Sequence, residues 1–424
     1  MWAQLPELIL TQVFGHLSGP DRVNAGQVCR HWGRCLGSPS LWRRCTVHID
    51  RDLSIDCSIA SELAIKFGEY MRSLELAWSR PFILPREPRI ARSVQAEAGA
   101  DFLGVVRAKN VQLKELILTD WIFSSKWGNC GKLLCALANL LACQQNLETL
   151  SLLNANLSLT DVLRLLAIVV NVCDNRLASL DIRGAFREWQ APYNNARYLR
   201  LLGRLHALTH LSLDYPALSD GALNALASGA CKALQTLHIS VRDSDSRQHR
   251  IEDSTWHNLV NACPHLTVSY TIVNISHHED MCYLLLPSVP LAKFQMFGGY
   301  VWDQSRTRNF RSTVGLLISH YTDTLAEVML QLRNNREMLD DLIVSMLTRC
   351  KHLKRLQYDG ILRNLETLRD ICQLQADHKT YFQTIHMKPR NVNMHNQAVL
   401  HEIGHQFNHK MIEQGIDFRI DNLA

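Results

Sequence analysis

Nothing in this sequence is apolar for long enough to span a bilayer: the most apolar stretch, around Leu163 to Val172, is short and contains Arg164. No basic leader precedes an apolar run at the N-terminus, where Glu7 stands early, so neither a signal peptide nor a membrane association is expected. The thirteen cysteines include no CxxC pair, and their odd number and scatter argue against both a zinc ribbon and a disulfide framework. Reduced, mostly buried thiols in a cytoplasmic or nuclear protein are expected instead. A net charge of +5 is small for 424 residues, and Arg80, Arg86, Arg89 and Arg92 stand among prolines rather than along a helix. Nucleic acid is therefore not the expected partner. No phosphate-binding glycine loop or Ser/His/Asp arrangement stands out, and no cofactor is expected.

What is present begins in the first fifty residues. Leu5, Leu8, Ile9, Val13, Phe14 and Leu17 recur at the three-to-four spacing of an amphipathic helix. Gly19-Pro20 is expected to break it, with Asp21 as the cap of a second helix whose apolar stripe is Val23, Ala25, Val28, Cys29 and Trp32. Gly33 and Gly37-Ser38-Pro39 mark its end, and a short third turn carries Leu41 and Trp42. Three helices this short bury little core and leave apolar surface for a partner.

These residues closely resemble an F-box: Leu5-Pro6, then Val13-Phe14 and Leu17 ahead of Asp21, then Val28-Cys29-Arg30 with Trp32, then Leu41-Trp42. One departure is Glu7, which follows Pro6 directly where the family usually interposes a residue. The resemblance implies that the helices hold a Skp-type adaptor and through it a cullin-RING ubiquitin ligase. The residues it assigns to that contact are Leu5, Pro6, Leu8, Ile9, Val13, Phe14, Leu17, Val28, Trp32, Leu41 and Trp42, some of which must form the small internal core instead. Within the family, the overall length, the N-terminal place of the motif, Lys66-Phe67-Gly68-Glu69-Tyr70 and the helical tail look most similar to the F-box-only group.

A second pattern then returns along the chain. Leu113-x-x-Leu116-x-Leu118 is followed by equivalents starting at Leu147, Leu177, Leu208, Leu234, Leu291, Leu325, Leu353 and Phe382, with an earlier copy at Met71 to Leu76 and a degenerate one near Leu266 to Ile272. Alternating apolar residues turn one face of a short strand into the core, and an intervening helix covers it from outside. Leu157-Ser158-Leu159-Thr160-Asp161 and Leu218-Ser219-Asp220-Gly221 open such helices, with Thr160 or Asp161 and Ser219 or Asp220 as caps. Each helix runs to a cysteine, Cys173 or Cys231, and this looks like the cysteine-containing class of leucine-rich repeat, which commonly accompanies F-boxes.

The irregular spacing places extra residues in loops at Trp78 to Asp101, Gly184 to Ala196, Arg242 to Asp253 and Gly298 to Arg311. Their aromatics Phe186, Trp189, Tyr193, Tyr300 and Trp302, with Trp121, are candidate anchors for a protein substrate. Strand positions between the core leucines are expected on the concave face, which would show Asp181, Arg183, Asp214, His238, Gln295, Gln331, Gln357 and Asp359. This mixed polar face suits a protein or peptide better than a polyanion.

His401-Glu402-Ile403-Gly404-His405 matches the HExxH zinc-protease signature. The helix has its own stripe, Leu400, Ile403, Phe407 and Met411, with His401, His405 and His409 opposite it, and the position ten beyond His401 is Met411 rather than a ligand. A capping helix is expected, with no metal site and no catalysis.

The expectation is thus an α/β chain: a three-helix F-box at 1–45, an irregular leucine-rich-repeat solenoid at 46–390 with parallel strands on the concave face and helices outside, and a capping helix at 391–424. As the family resemblance implies, it would be the non-catalytic substrate-recognition subunit of a Skp-cullin-F-box ligase directing proteasomal degradation. The alternatives are a non-degradative adaptor-bound scaffold and, remotely, a zinc protease.

Overall fold

The computed structural model describes residues 4–17, 19–53, 58–78, 89–121, 131–173, 175–187, 190–228, 233–245, 249–275, 277–298 and 309–421. The chain divides into two compact units, Met1–Leu213 with Ser228–Ala233, and Asp214–Ala227 with Leu234–Ala424.

The first unit opens with α1 (Glu7–Gly15), α2 (Gly19–Gly26), α3 (Arg30–Cys35) and a 3₁₀ turn at Pro39–Trp42. Strand–helix repeats follow: β1 (Arg44–His48), α4 (Ile59–Phe67), β2 (Ser73–Ala77), α5 (Arg89–Ala108), β3 (Glu115–Thr119), α6 (Gly131–Leu141), β4 (Thr149–Leu153), α7 (Leu159–Cys173), β5 (Ser179–Asp181), α8 (Ala196–Leu202) and β6 (His210–Asp214). The strands are parallel and pair in chain order, so Leu74, Leu116, Leu150, Leu180 and Leu211 are successive register partners, each at most 1% exposed. Fully burying one leucine contributes about 2 kcal/mol, and the ladder repeats that gain at every turn. On the opposite face Glu75 accepts from the hydroxyls of Thr46 (3.1 Å) and Thr119 (3.0 Å), crossing three strands.

Two polar devices hold the turns of this unit. Buried Gln144 accepts from the Leu113 amide (2.7 Å) and donates to the Val111 carbonyl (3.0 Å), satisfying backbone groups one repeat away. After the strands, Asp120 and Asn154 adopt left-handed backbone, and the Asn154 side-chain amide donates to Asp120 Oδ1 (2.9 Å). Gly184 stands in the next repeat at φ +61°, where a Cβ would lie 2.5 Å from Asn154 Oδ1, so only glycine fits.

The second unit contains α9 (Asp220–Ser228), β7 (Thr236–Arg242), α10 (Asp253–Ala262), β8 (Thr267–Val273), α11 (His278–Leu284), β9 (Leu291–Gly298), α12 (Phe310–His320), β10 (Glu327–Leu332), α13 (Asp340–Arg349), β11 (Arg355–Gly360), α14 (Glu366–Ala376), β12 (Thr384–Pro389), α15 (Met394–Glu413) and β13 (Asp417–Ile420). Strands β7 to β13 are again parallel and paired in order, with one register shift between Val268 and Ser269. This is the parallel strand and outer helix of a leucine-rich-repeat solenoid, preceded by the small helical domain.

The structure departs from the sequence expectation at several boundaries. The second N-terminal helix is two, interrupted at residues 27–29, and α2 starts at Gly19, so Asp21 lies in its first turn and is not the cap. Strand β1 begins at Arg44, so a domain boundary at 45 would cut it. Helix α5 starts at Arg89, inside the stretch expected to be a loop. Ser158, not Thr160 or Asp161, caps α7 by accepting from the Asp161 amide (3.2 Å), whereas Ser219 caps α9 as expected (3.2 Å to the Ala222 amide). The tail is more than a helix: Gly415 at φ +71° ends α15 and lets the chain return as β13, a strand too short to be noticed as a repeat.

Candidate adaptor-docking surface

The N-terminal helices sort their apolar residues into two sets. Leu10, Phe14, Cys35, Leu41, Trp42 and Phe67 form a buried cluster, with Leu5, Leu17, Ala25, Trp32 and Leu36 packed against it. Phe14 meets Trp32 edge-on, centroids 5.4 Å apart, and the Trp42 indole N–H donates to the Leu36 carbonyl at 2.6 Å. The buried stripe of α1 is thus Leu10 and Phe14, flanked by Leu17. Leu10, the first of these, had no place in the sequence pattern, because the apolar positions run almost all round the helix.

Arg22 ties this cluster shut. Its guanidinium donates to the carbonyls of Phe14 (2.9 Å) and Gly15 (3.2 Å) at the end of α1, where carbonyls lack helical partners, and to the Leu41 carbonyl in the 3₁₀ turn. It also lies 5.9 Å from the Trp42 ring centroid. Burial lowers its pKa from the usual arginine value, with the Cys45 side chain opposing.

The second set faces outward. Leu8 is 69% exposed and Val28 66%, with Ile9, Val13 and Pro6 also exposed. Leu8, Ile9 and Val13 occupy the side of α1 turned away from Leu10 and Phe14. Of the residues assigned to the adaptor, Pro6, Leu8, Ile9, Val13 and Val28 are therefore available at the surface. Phe14, Leu41 and Trp42 are not: they are at most 3% exposed and build the core. Leu5, Leu17 and Trp32 are half-buried at its margin.

The candidate substrate residues also divide. Trp121 is not an anchor: it is fully buried, its indole donating at 2.8 Å to the Leu76 carbonyl of the neighbouring strand. Asp181 and Arg183 are half-buried and paired with each other at 2.6 Å. Phe186 packs edge-on to Tyr198, centroids 6.1 Å apart, and Tyr193 is half-buried nearby in sequence. These belong to the first unit; half-buried Asp214 and His238 belong to the second, His238 bridging Ser269 (3.1 Å) and Thr271 (3.3 Å). Trp189, Tyr300 and Trp302 lie outside the described residues. Gln295, Gln331, Gln357 and Asp359 alternate with buried neighbours along their strands, as the period of two requires.

At the far end, α15 buries Leu400, Ile403, Phe407 and Met411 and exposes His401, His405 and His409. His401 and His405 border an open depression between α15 and β13, beside Phe418 and Ile420. Glu402 is held 3.1 Å from the Arg369 guanidinium. Among the described residues no third potential ligand joins the two histidines. No helix among those residues is long and apolar enough to cross a membrane.

Comparison with known proteins agrees with this division. Residues 2–48 match the F-box-like family. F-box/LRR-repeat protein 8 of Bos taurus is 25% identical over 361 residues, covering 85% of this chain and 89% of that protein. F-box/LRR-repeat protein 21 of Mus musculus is 24% identical over 280 residues, 63% of this chain and 58% of that one. F-box only protein 33 of Homo sapiens is 42% identical over 40 residues, 9% of this chain and 7% of that one. The solved structure of a TLR13-ssRNA13 complex aligns at a TM-score of 0.33 and 14% identity, covering 76% of this chain and 46% of that one. The chain thus carries an F-box-like domain at its N-terminus with a leucine-rich-repeat array behind it, and over most of its length it is similar to F-box/LRR-repeat proteins.

Proposed function

We propose that this chain is the substrate-recognition subunit of a Skp-cullin-F-box ubiquitin ligase, holding a Skp-type adaptor by its N-terminal helices and a protein substrate by its repeats. The observation that carries the reading is the exposed apolar set Pro6, Leu8, Ile9, Val13 and Val28 on a domain whose own core is already complete with Leu10, Phe14, Leu41 and Trp42. Apolar side chains that a small domain leaves outside its core are the usual mark of a protein interface. The chain would make and break no bonds; it would raise the local concentration of substrate near a charged ubiquitin carrier. Free thiols at the ten described cysteines fit a reducing cytoplasm or nucleus.

The test is co-purification of the full chain with a Skp-type adaptor, followed by reconstitution with the cullin-RING module. A stoichiometric complex supports the reading. Failure of the folded chain to hold any Skp-type adaptor would sink it.

A further inference from the structure

One cluster of ligand-type side chains borders the buried core of the N-terminal helices and shares Cys35 with it. A carboxylate oxygen of Glu7, a ring nitrogen of His31 and the Cys35 sulfur all lie within 4.8 Å of one another. Glu7 opens α1 and is exposed; His31 and Cys35 stand one turn apart on α3, His31 half-buried and Cys35 buried. The i,i+4 spacing puts the last two on one face of the helix, and the packing of α1 across α3 brings in the first.

We propose that Glu7, His31 and Cys35 form a three-ligand site for a divalent transition-metal ion of the zinc type, its fourth position open to water. The donor set is one carboxylate oxygen, one imidazole nitrogen and one thiolate sulfur, which suits zinc and its neighbours and not magnesium or calcium. Ligand atoms around a tetrahedral zinc stand about 3.5 Å apart, so small side-chain rotations from the observed spacing complete the site.

A second observation concerns the imidazole. Its Nε2 is 2.9 Å from the Leu5 carbonyl, which can only accept, so Nε2 donates there and Nδ1 is the nitrogen left to meet an ion. A ligating histidine is commonly oriented in this way, by donation of its other nitrogen to a backbone carbonyl.

An ion here would fasten the first turn of α1, next to exposed Leu8 and Ile9, to α3. It would act as a staple for a domain with little core, and its existence does not depend on the ligase reading.

The full chain is titrated with Co²⁺ and then with competing Zn²⁺. The expected result is one equivalent of cobalt with a thiolate-to-metal absorption band, displaced by zinc, and a melting temperature that rises with either ion. Cys35→Ala should abolish the band. Glu7→Gln and His31→Gln, which alter groups outside the core, should each weaken cobalt binding at least about tenfold. Absence of the band in the full chain, its persistence in Cys35→Ala, or unchanged affinity in either Glu7→Gln or His31→Gln overturns the site. The Glu7 and His31 variants keep the test decisive if Cys35→Ala does not fold.

Discussion

The indole of Trp42 lies flat on the ring of Phe67, centroids 4.5 Å apart and planes within 5° of parallel. Trp42 closes the F-box-like domain, whereas Phe67 ends the helix of the first repeat, so one stacked pair belongs to both cores. Lys66 adds its ammonium 5.1 Å from the same Phe67 ring. The helical domain and the first repeat are therefore expected to unfold together.

Removing either ring should cost about 3–5 kcal/mol, the usual range for a buried aromatic replaced by alanine. Trp42→Ala with Phe67→Ala should cost about 0.5–1.5 kcal/mol less than the sum of the two, since each single variant already forfeits the stack. Denaturant unfolding of the three variants measures this. Strict additivity would mean that the rings do not support each other.

At the docking surface the expected behaviour is opposite. Leu8→Asp and Val28→Asp change residues that are mostly exposed and should leave stability within about 0.5 kcal/mol. Each should weaken adaptor binding by about 2 kcal/mol or more if its side chain is an anchor, roughly a thirtyfold loss by calorimetry. Loss of binding accompanied by loss of folding would point to the core instead.

Gly184 offers a test of the turn between repeats. Gly184→Ala places a Cβ against Asn154 at a positive φ and should destabilise the first unit by about 1–3 kcal/mol. Thermal melting or hydrogen exchange of β4 and β5 would register it. A neutral substitution would mean that the turn relaxes freely.

Glu402→Gln should break the ion pair with Arg369 and leave the melting temperature nearly unchanged, because Glu402 is exposed and solvent screens the pair. A hydrolytic activity present in the full chain and absent from this variant would contradict the exposed-helix reading.

Alkaline pH supplies a further measurement. Burial raises the thiol of Cys45 to about 11 against the pull of Arg22, that of Cys350 to about 11 against Arg349, and that of Cys372 to about 12 against Arg369. A group whose native pKa lies above its unfolded value favours the fold while both states are protonated. The unfolded thiols lose their protons from about pH 8.5 upward. Stability should therefore be fully present below that pH and decline as pH climbs toward 11 and 12. Urea melts between pH 7 and 11 would show it, and alkylation at pH 8 should label exposed Cys135 and Cys143 before any of these three.

The repeat array was legible in the sequence because its signal is periodic and redundant. Leu116 and Leu118 announce a strand by themselves, and Leu150 with Leu152 or Leu211 with Leu213 repeats the message. Strands β1 and β13 escaped because Val47 and Phe418 stand in short stretches without that spacing. They become strands by pairing with a neighbour already in place, β2 or β12.

For the docking site the sequence determined that Leu5 through Trp42 form short apolar helices with more hydrophobic surface than so small a domain can bury. It also determined that the histidines of the HExxH match lie opposite the stripe of α15. Only the tertiary structure decided which apolar residue faces which way: Leu10, Phe14 and Trp42 inward, Leu8, Ile9 and Val28 outward. On a helix that is apolar nearly all round, periodicity cannot choose a side. The choice falls to what the rest of the chain presents, here Phe67 and the Arg22 guanidinium, both distant in sequence from the residues they hold.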